Sequence, residues 1–298
     1  MSAAEAQAAE LAFEQPSGLW RDAWERLRRN PGVVVGAVLL LAFVAIAVLA
    51  PLVAPFGPDE RVGGLAATPP GPMPGHLFGL DVQGRDLFSR VVYGARLSLV
   101  VGIVAVAVGL SGGLVLGAVA GAAGGRTDAV IMRLVDIMLS IPSLLLAIGL
   151  VTLFGRGLVQ VMVAVGIVDV PIFARLLRGT MLGVRESDYV LAARSVGTPP
   201  GQLLVRHILP NSIAPVIVQA TLAMATAIID VAGLSFLGLG PADPGLPEWG
   251  QILAENAGRL SASPHLVFFP GFAIVLSVLA INLIGDGLRE AIDPRLAR

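Results

Sequence analysis

The chain has 298 residues, 55% of them hydrophobic and only 14% charged; soluble domains carry about a quarter charged residues, so an ordinary soluble domain is excluded and there is room for several spans of ~20 residues. A formal net charge of −1 speaks against nucleic-acid binding, which needs a basic surface to release counterions. Cysteine is absent, which removes disulfides, thiolate metal sites and Cys nucleophiles, and all 20 Lys+Arg residues are Arg, so neither a Walker A loop nor a Schiff-base lysine can be built.

Residues 1–30 predict a retained cytoplasmic tail. Acids and polar groups precede the first apolar run, and no short apolar region with an A-x-A site follows a basic start. Six apolar runs follow, at 33–55, 97–123, 129–154, 157–177, 212–238 and 265–285. Each is long enough to cross a ~30 Å hydrocarbon core. The third and fourth are separated only by Gly155-Arg156, which leaves a re-entrant hairpin open there. Arginine placement sets the orientation. Arg21, Arg26, Arg28, Arg29, Arg126, Arg133, Arg175, Arg178, Arg185, Arg194, Arg206, Arg289, Arg295 and Arg298 fall on one side, and Arg61, Arg85, Arg90, Arg96, Arg156 and Arg259 on the other. Fourteen against six predicts that both termini are cytoplasmic.

The expected organisation is a tail at 1–30, a first transmembrane helix at 31–55, an extracytoplasmic segment at 56–96, a core of five transmembrane helices at 97–288 and a cytoplasmic tail at 289–298. Within 56–96, Leu87, Phe88, Val91, Val92 and Ala95 share a helical face with Arg90 and Arg96 off it. This fits either an amphipathic helix at the outer interface or a lead-in to span two. Gly109, Gly113, Gly117, Gly121 and Gly125 recur every fourth residue, which places them on one helical face and predicts close helix packing. Residues 240–264, rich in Gly and Pro, predict a structured outer loop.

Acids inside spans cost several kcal/mol unless paired or hydrated. Asp136 stands three residues from Arg133, which predicts a local ion pair. Asp169 precedes Pro171 by two residues and either faces a pathway or satisfies the kink. Asp230, deep in span five just before GLSFLGLG, and Ser235 within it are candidates for a translocation path, with Asp230 facing the amino group of a peptide or else making a structural hydrogen bond between helices. GLSFLG has the wrong spacing for a nucleophile elbow, and His76, His207 and His265 are scattered and suggest no metal site.

The cytoplasmic stretch 188–211, DYVLAARSVGTPPGQLLVRHILPN, interrupts this apolar pattern. Ser187 can cap a helix, with Asp188 favoured in its first turn. Tyr189, Ala192, Ala193 and Val196 then form one small apolar face. Gly197 suits a left-handed C′ position. Thr198 can cap a second helix with Pro199 at its first position, whose face is Leu203, Leu204, His207 and Ile208. Two short helices with a fixed bend result, and the Ala-Ala surface suits docking into a partner's groove; an ordinary interfacial loop is the plainer alternative.

The stretch resembles the EAA loop of type I ABC-importer permeases. In that motif E-A-A is followed after three residues by Gly and after nine more by I-x-L-P. Here Leu191-Ala192-Ala193, Gly197 and His207-Ile208-Leu209-Pro210 fall in register. Leu191 stands where the family often has Glu, and His207 where it often has Ile. HLFGLDVQGRDLFSRVVYGARLSL (76–99), RLVDIMLSIPSLLLAIGL (133–150), GLSFLGLG (233–240), PEWGQILAEN (247–256) and INLIGDGLREAIDPR (281–295) are similar to the dipeptide, oligopeptide and nickel permeases. With RLRRNPGVVVGAVLL (26–40) they resemble the C-type subunit.

The resemblance implies an all-α integral membrane fold with six transmembrane helices and cytoplasmic coupling helices. It implies a non-catalytic permease subunit in the bacterial cytoplasmic membrane, with a B-type permease, two ATP-binding subunits and an extracytoplasmic binding protein as partners. No cofactor is expected on this chain; ATP and Mg belong to the ATPases. Residues 186–210 would couple to them, through Asp188, Tyr189, Leu191, Ala192, Ala193, Arg194, Gly197, Leu209 and Pro210. Di- or oligopeptide is the expected cargo, with nickel or another small solute the alternative. An autonomous secondary transporter would show internal repeats, and none is evident.

Overall fold

The computed structural model describes residues 19–63, 71–241, 243 and 245–292, with side chains from Trp24 onward. The tail residues 1–18, together with Arg295 and Arg298, lie outside the described residues. Every regular element among those described is helical.

Helix α1 (Leu19–Arg29) ends at Asn30, whose side-chain oxygen accepts from Gly32 N at 2.9 Å and Val33 N at 3.3 Å and so caps α2 (Pro31–Val48). Pro31 stands at the first helical position, where its missing N–H costs nothing. A short turn at Ala50–Val53 follows. Helix α3 (Leu87–Ala123) is one unbroken rod of 37 residues, roughly 55 Å long and well beyond a bilayer core. The lead-in is therefore part of span two and not a separate interfacial helix: Leu87, Val91, Val92, Ala95 and Arg90 are all buried.

The third apolar run is not straight. Helices α4 (Gly125–Ser140) and α5 (Ser143–Phe154) meet at 97°. Pro142 lacks an N–H, and Ile141 before it is held extended (φ −93°, ψ 130°). Helix α6 (Leu158–Arg185) runs past the expected end at residue 177 and carries Pro171 without breaking. The remaining elements are α7 (Asp188–Ser195), α8 (Ala214–Leu234), α9 (Trp249–Asn256) and α10 (His265–Ile292). Among the described residues, five helices are long and apolar enough to cross a membrane, or six when the bent pair is counted as one span.

The tightest seam joins α3 to α6. A Cβ added at Gly113 would fall 2.3 Å from Phe173 Cβ, one at Gly117 would fall 2.7 Å from the Ala174 carbonyl oxygen, and one at Gly121 would fall 3.0 Å from Met181 Sδ. Gly109 likewise meets Asp169 Cβ at 2.8 Å, and Gly166 of α6 meets the Ala105 carbonyl oxygen at 2.6 Å. Contacts climb together along both helices, so the two are parallel neighbours. Gly125 does not belong to this stripe. It follows Gly124 at a break with φ +54°, and nothing lies within 4 Å of its would-be Cβ. Val161, Val165, Phe173, Leu177, Ala227 and Val231 form the main apolar core. Helix α10 returns antiparallel to α8, with Gly285 at Thr221 and Leu222, while Gly36 of α2 packs on Ala280 and Leu283.

Candidate functional site

Two ends of the bundle are distinct. One carries residues 186–212, the other residues 54–63, 71–86, 241 and 245–264.

At the first end, Val190 is fully buried and pins α7 to the core. Tyr189 is 46% exposed, Leu191 40% and Val196 84%. Ala192 is also exposed, and Ala193 is half-buried at the edge of the core. Asp188, Arg194 and Gly197 are exposed, Leu209 half-buried and Pro210 exposed. Gly197 adopts φ +85°, a value that favours glycine, and makes the bend. The caps differ from the expected ones. Ser187 donates its hydroxyl to the Val184 carbonyl at 2.6 Å and makes no side-chain cap. Pro199 occupies the second cap position with Pro200 first in the helical turn Pro200–Leu203, one residue later than expected. A π turn at Leu204–Ile208 and a turn at Leu209–Ser212 lead into α8, with Leu203 and Ile208 buried.

Polar ties join this end to the spans. Arg185 Nη1 donates to the Gly121 carbonyl at 2.7 Å, linking the last turns of α3 and α6. Arg178 holds Asp128 through two bonds of 2.9 and 2.6 Å. Asp136 pairs with Arg175 of α6 and not with Arg133, because α4 lies across α6 and turns its acids toward it. Thr180 Oγ1 donates to the Ser212 carbonyl at 3.2 Å. A cavity of about 420 Å³, open to one side, lies beneath the bend between Gly121, Arg185, Arg194, Thr198, Leu203 and Ile208.

Midway along the bundle, Asp169 is buried at 9% exposure, and its Oδ2 has no hydrogen-bond partner among the described residues. Asp230, on α8, is half-buried. Ser235, expected on a path beside Asp230, is instead fully buried. A Cβ at Gly240 would fall 2.6 Å from its hydroxyl, which turns toward Glu248.

The other end is a platform of buried charge. Arg85 Nε bonds Asp81 at 2.7 Å, Nη2 bonds Glu255 of α9 at 2.8 Å, and Nη1 reaches Asp59 at 3.3 Å. Arg90 Nη1 bonds both Asp81 and Glu255 at 2.8 Å. The Arg85 and Arg90 side chains are at most 1% exposed. Burial draws the Arg85 guanidinium down, and Asp81, Glu255 and Asp59 together hold it above its ordinary value. Asp86 caps α3 through Ser89 N at 2.8 Å and pairs with His76 at 2.9 Å, which stacks on Phe56. Trp249 is buried and donates to the Val91 carbonyl at 2.9 Å. Glu248 caps α9 through Gly250 N and Gln251 N. Burial raises its carboxyl, against the pull of those N–H groups and the Ser235 and Ser98 hydroxyls. The expected structured loop is present; its lattice was missed, although Asp81 and Arg85 at i, i+4 signal it. Among the described residues no group of three His, Asp or Glu could hold a metal.

Residues 113–298 match the family described as the binding-protein-dependent transport system inner membrane component. The chain belongs to that family. Residues 18–70 match the N-terminal transmembrane domain of oligopeptide transport permease C, which makes this permease a C-type subunit. It is similar to the dipeptide transport system permease protein DppC of Alkalihalophilus pseudofirmus, at 45% identity over 93% of this chain and 90% of that relative. The di/tripeptide transport system permease protein DppC of Pseudomonas aeruginosa is 43% identical over 98% and 97% of the two chains. The glutathione transport system permease protein GsiD of Pectobacterium atrosepticum is 42% identical over 93% and 91%. Among solved structures, the MetNI methionine ABC transporter in inward-facing conformations shares the fold, with a TM-score of 0.57 at 21% identity over 68% of this chain and 96% of that one. The permease is therefore a multi-pass inner-membrane protein with the fold of a type I ABC-importer permease.

Proposed function

We propose that this permease subunit forms half of the pathway of an ATP-driven importer of di- and oligopeptides, and that residues 186–210 are where partner ATPases grip it. The dipeptide, di/tripeptide and glutathione relatives support the peptide class. The coupling reading rests on α7: Val190 anchors it while Tyr189, Leu191, Ala192 and Val196 stand uncovered. The arginine excess at this end supports a cytoplasmic position for it and for both termini.

The subunit itself is non-catalytic. Without a lysine for a nucleotide loop it leaves ATP and Mg to two ATP-binding subunits, and a B-type permease and an extracytoplasmic binding protein complete the assembly. ATP-driven closure displaces α7. The bend at Gly197 and the Arg185–Gly121 tie pass that displacement to α6 and α3 as a rigid-body switch between two states. Leu191, where the family often has Glu, makes the contact more apolar. Asp230 and Asp169 stand on the path.

The test is reconstitution with the cognate partners in proteoliposomes. In Ala193→Arg and Gly197→Asp, stimulation of ATP hydrolysis by loaded binding protein should fall by about tenfold, the scale of one misfitted interface contact. Wild-type stimulation and transport in both variants would reject the coupling reading.

A further inference from the structure

We propose that the cavity beneath the Gly197 bend binds one phosphate group, held between Arg185 of α6 and Arg194 of α7. The binding rests on the cavity itself; its effect on transport rests on the coupling reading.

The cavity, about 420 Å³, falls within the range of about 300–1,000 Å³ usual for small-ligand sites. Both arginines line it together with Thr198, and Leu203, Leu204 and Ile208 give it an apolar wall. No acid lines it among the described residues. Arg185 is half-buried and makes one hydrogen bond among the described residues, to the Gly121 carbonyl, so most of its N–H donors stay unused. Arg194 is exposed at the end of α7 and has no side-chain partner among the described residues. The neighbouring arginines of α6 differ, since Asp136 neutralises Arg175 and Asp128 neutralises Arg178. Glu186 and Asp188, the acids nearest in sequence, are exposed, and neither pairs with Arg185 or Arg194. Two guanidinium groups thus share one hollow without a counter-charge, and a partly buried charge is costly until it is paired.

The arrangement selects phosphate. A planar carboxylate is satisfied by a single guanidinium fork. Two forks from different helices, with a hydroxyl beside them, suit a tetrahedral phosphate. Helix α3 ends at Ala123, just beyond Gly121, so the cavity lies where the apolar span gives way to the headgroup region. A phospholipid headgroup of that leaflet and soluble inorganic phosphate share the required chemistry. Once bound, the phosphate ties α7 to the end of α6, and through Arg185 to Gly121 of α3. The bend at Gly197 then moves with the bundle.

The test uses the complete transporter in dodecyl maltoside, in phosphate-free buffer without nucleotide. Phosphatidylglycerol and inorganic phosphate are the probes, and uncharged diacylglycerol controls for the acyl chains alone. Native mass spectrometry counts bound lipid, and thermal melting follows inorganic phosphate. Arg185→Gln and Arg194→Gln should each raise the apparent Kd of the bound probe by about tenfold, the effect of one lost charge-assisted contact. A difference with phosphatidylglycerol alone identifies a lipid as the occupant, one with inorganic phosphate alone identifies the free ion, and one with both identifies a site open to either. Equal binding of both probes by wild type and the double variant overturns the site, and so does an equal loss of diacylglycerol in the variants. Should Arg185→Gln fail to assemble, Arg194→Gln decides, because it changes an exposed side chain; unchanged affinity for both probes there overturns the site. Stimulation of ATP hydrolysis by loaded binding protein separates the two readings. Arginine-dependent binding with stimulation indifferent to the probe keeps the site and rejects its part in coupling. Loss of stimulation in Ala193→Arg and Gly197→Asp, with neither probe bound by wild type, keeps the coupling reading and rejects the site.

Discussion

At the platform end, charge is internal and closed. Arg85 and Arg90 are buried among Asp81, Glu255 and Asp59 and clamp α9 to the start of α3. At the opposite end, the ion pairs Arg175–Asp136 and Arg178–Asp128 are partly open to solvent, and the apolar side chains of α7 stand uncovered. Buried ion pairs add little stability over apolar packing but are costly to break. Exposed pairs are worth little either way. The platform is therefore finished within this chain, whereas the α7 end is left to be completed by another protein.

The largest effect should come from opening the platform. Arg90→Met leaves the buried Asp81 and Glu255 with Arg85 as their one shared cation and should cost about 3–5 kcal/mol, read as a lowered melting temperature of the purified protein. A wild-type melt would mean that the platform is not a lock. Next comes the shared middle of the bundle. Gly113→Leu drives a side chain into Phe173 and should cost about 1–3 kcal/mol or more by overpacking, whereas Gly149→Ala meets nothing within 4 Å and should be neutral or slightly stabilising.

A pH scan sharpens the contrast further. Because burial raises Glu248, its ionisation disfavours the folded state. The stability it contributes is full below the ordinary carboxylate range, is lost as pH rises through the raised folded value, and stays level above it. Glu248→Gln should flatten that slope; an identical slope would remove Glu248 as its source. The smallest effect on stability belongs to the α7 end. Val196→Ser, at an 84% exposed position, should change stability by less than about 0.5 kcal/mol while weakening stimulation of ATP hydrolysis. A large loss of stability there would erase the distinction between the ends.

Local and periodic signals carried much of this into the sequence. The apolar runs gave the spans because length and hydropathy alone decide what can cross a bilayer. Four of the five spaced glycines form the seam because i, i+4 spacing is a property of the helix itself; Gly125 fails because the helix has already ended at Ala123. The bend at Gly197 was legible for the same local reason. What stayed hidden was long-range. Asp136 chose Arg175 over Arg133, Asp81 and Arg85 met Glu255, and Ser235 turned into the platform; each depends on which helix lies alongside, and periodicity within one helix does not report that. The broken third span was signalled by Ile141-Pro142 but masked by the unbroken hydropathy around it.

The parallel course of α3 and α6 bears on how the protein is made. Two parallel neighbours cannot close as a hairpin, since the chain must first return across the bilayer through α4 and α5. The glycine seam, the closest contact in the molecule's middle, therefore forms only after α6 has emerged from the insertion machinery. Until then α3 exposes a bare backbone groove to whatever helix is nearby. Assembly order, and not seam strength alone, then sets how much of the synthesised chain reaches its native arrangement.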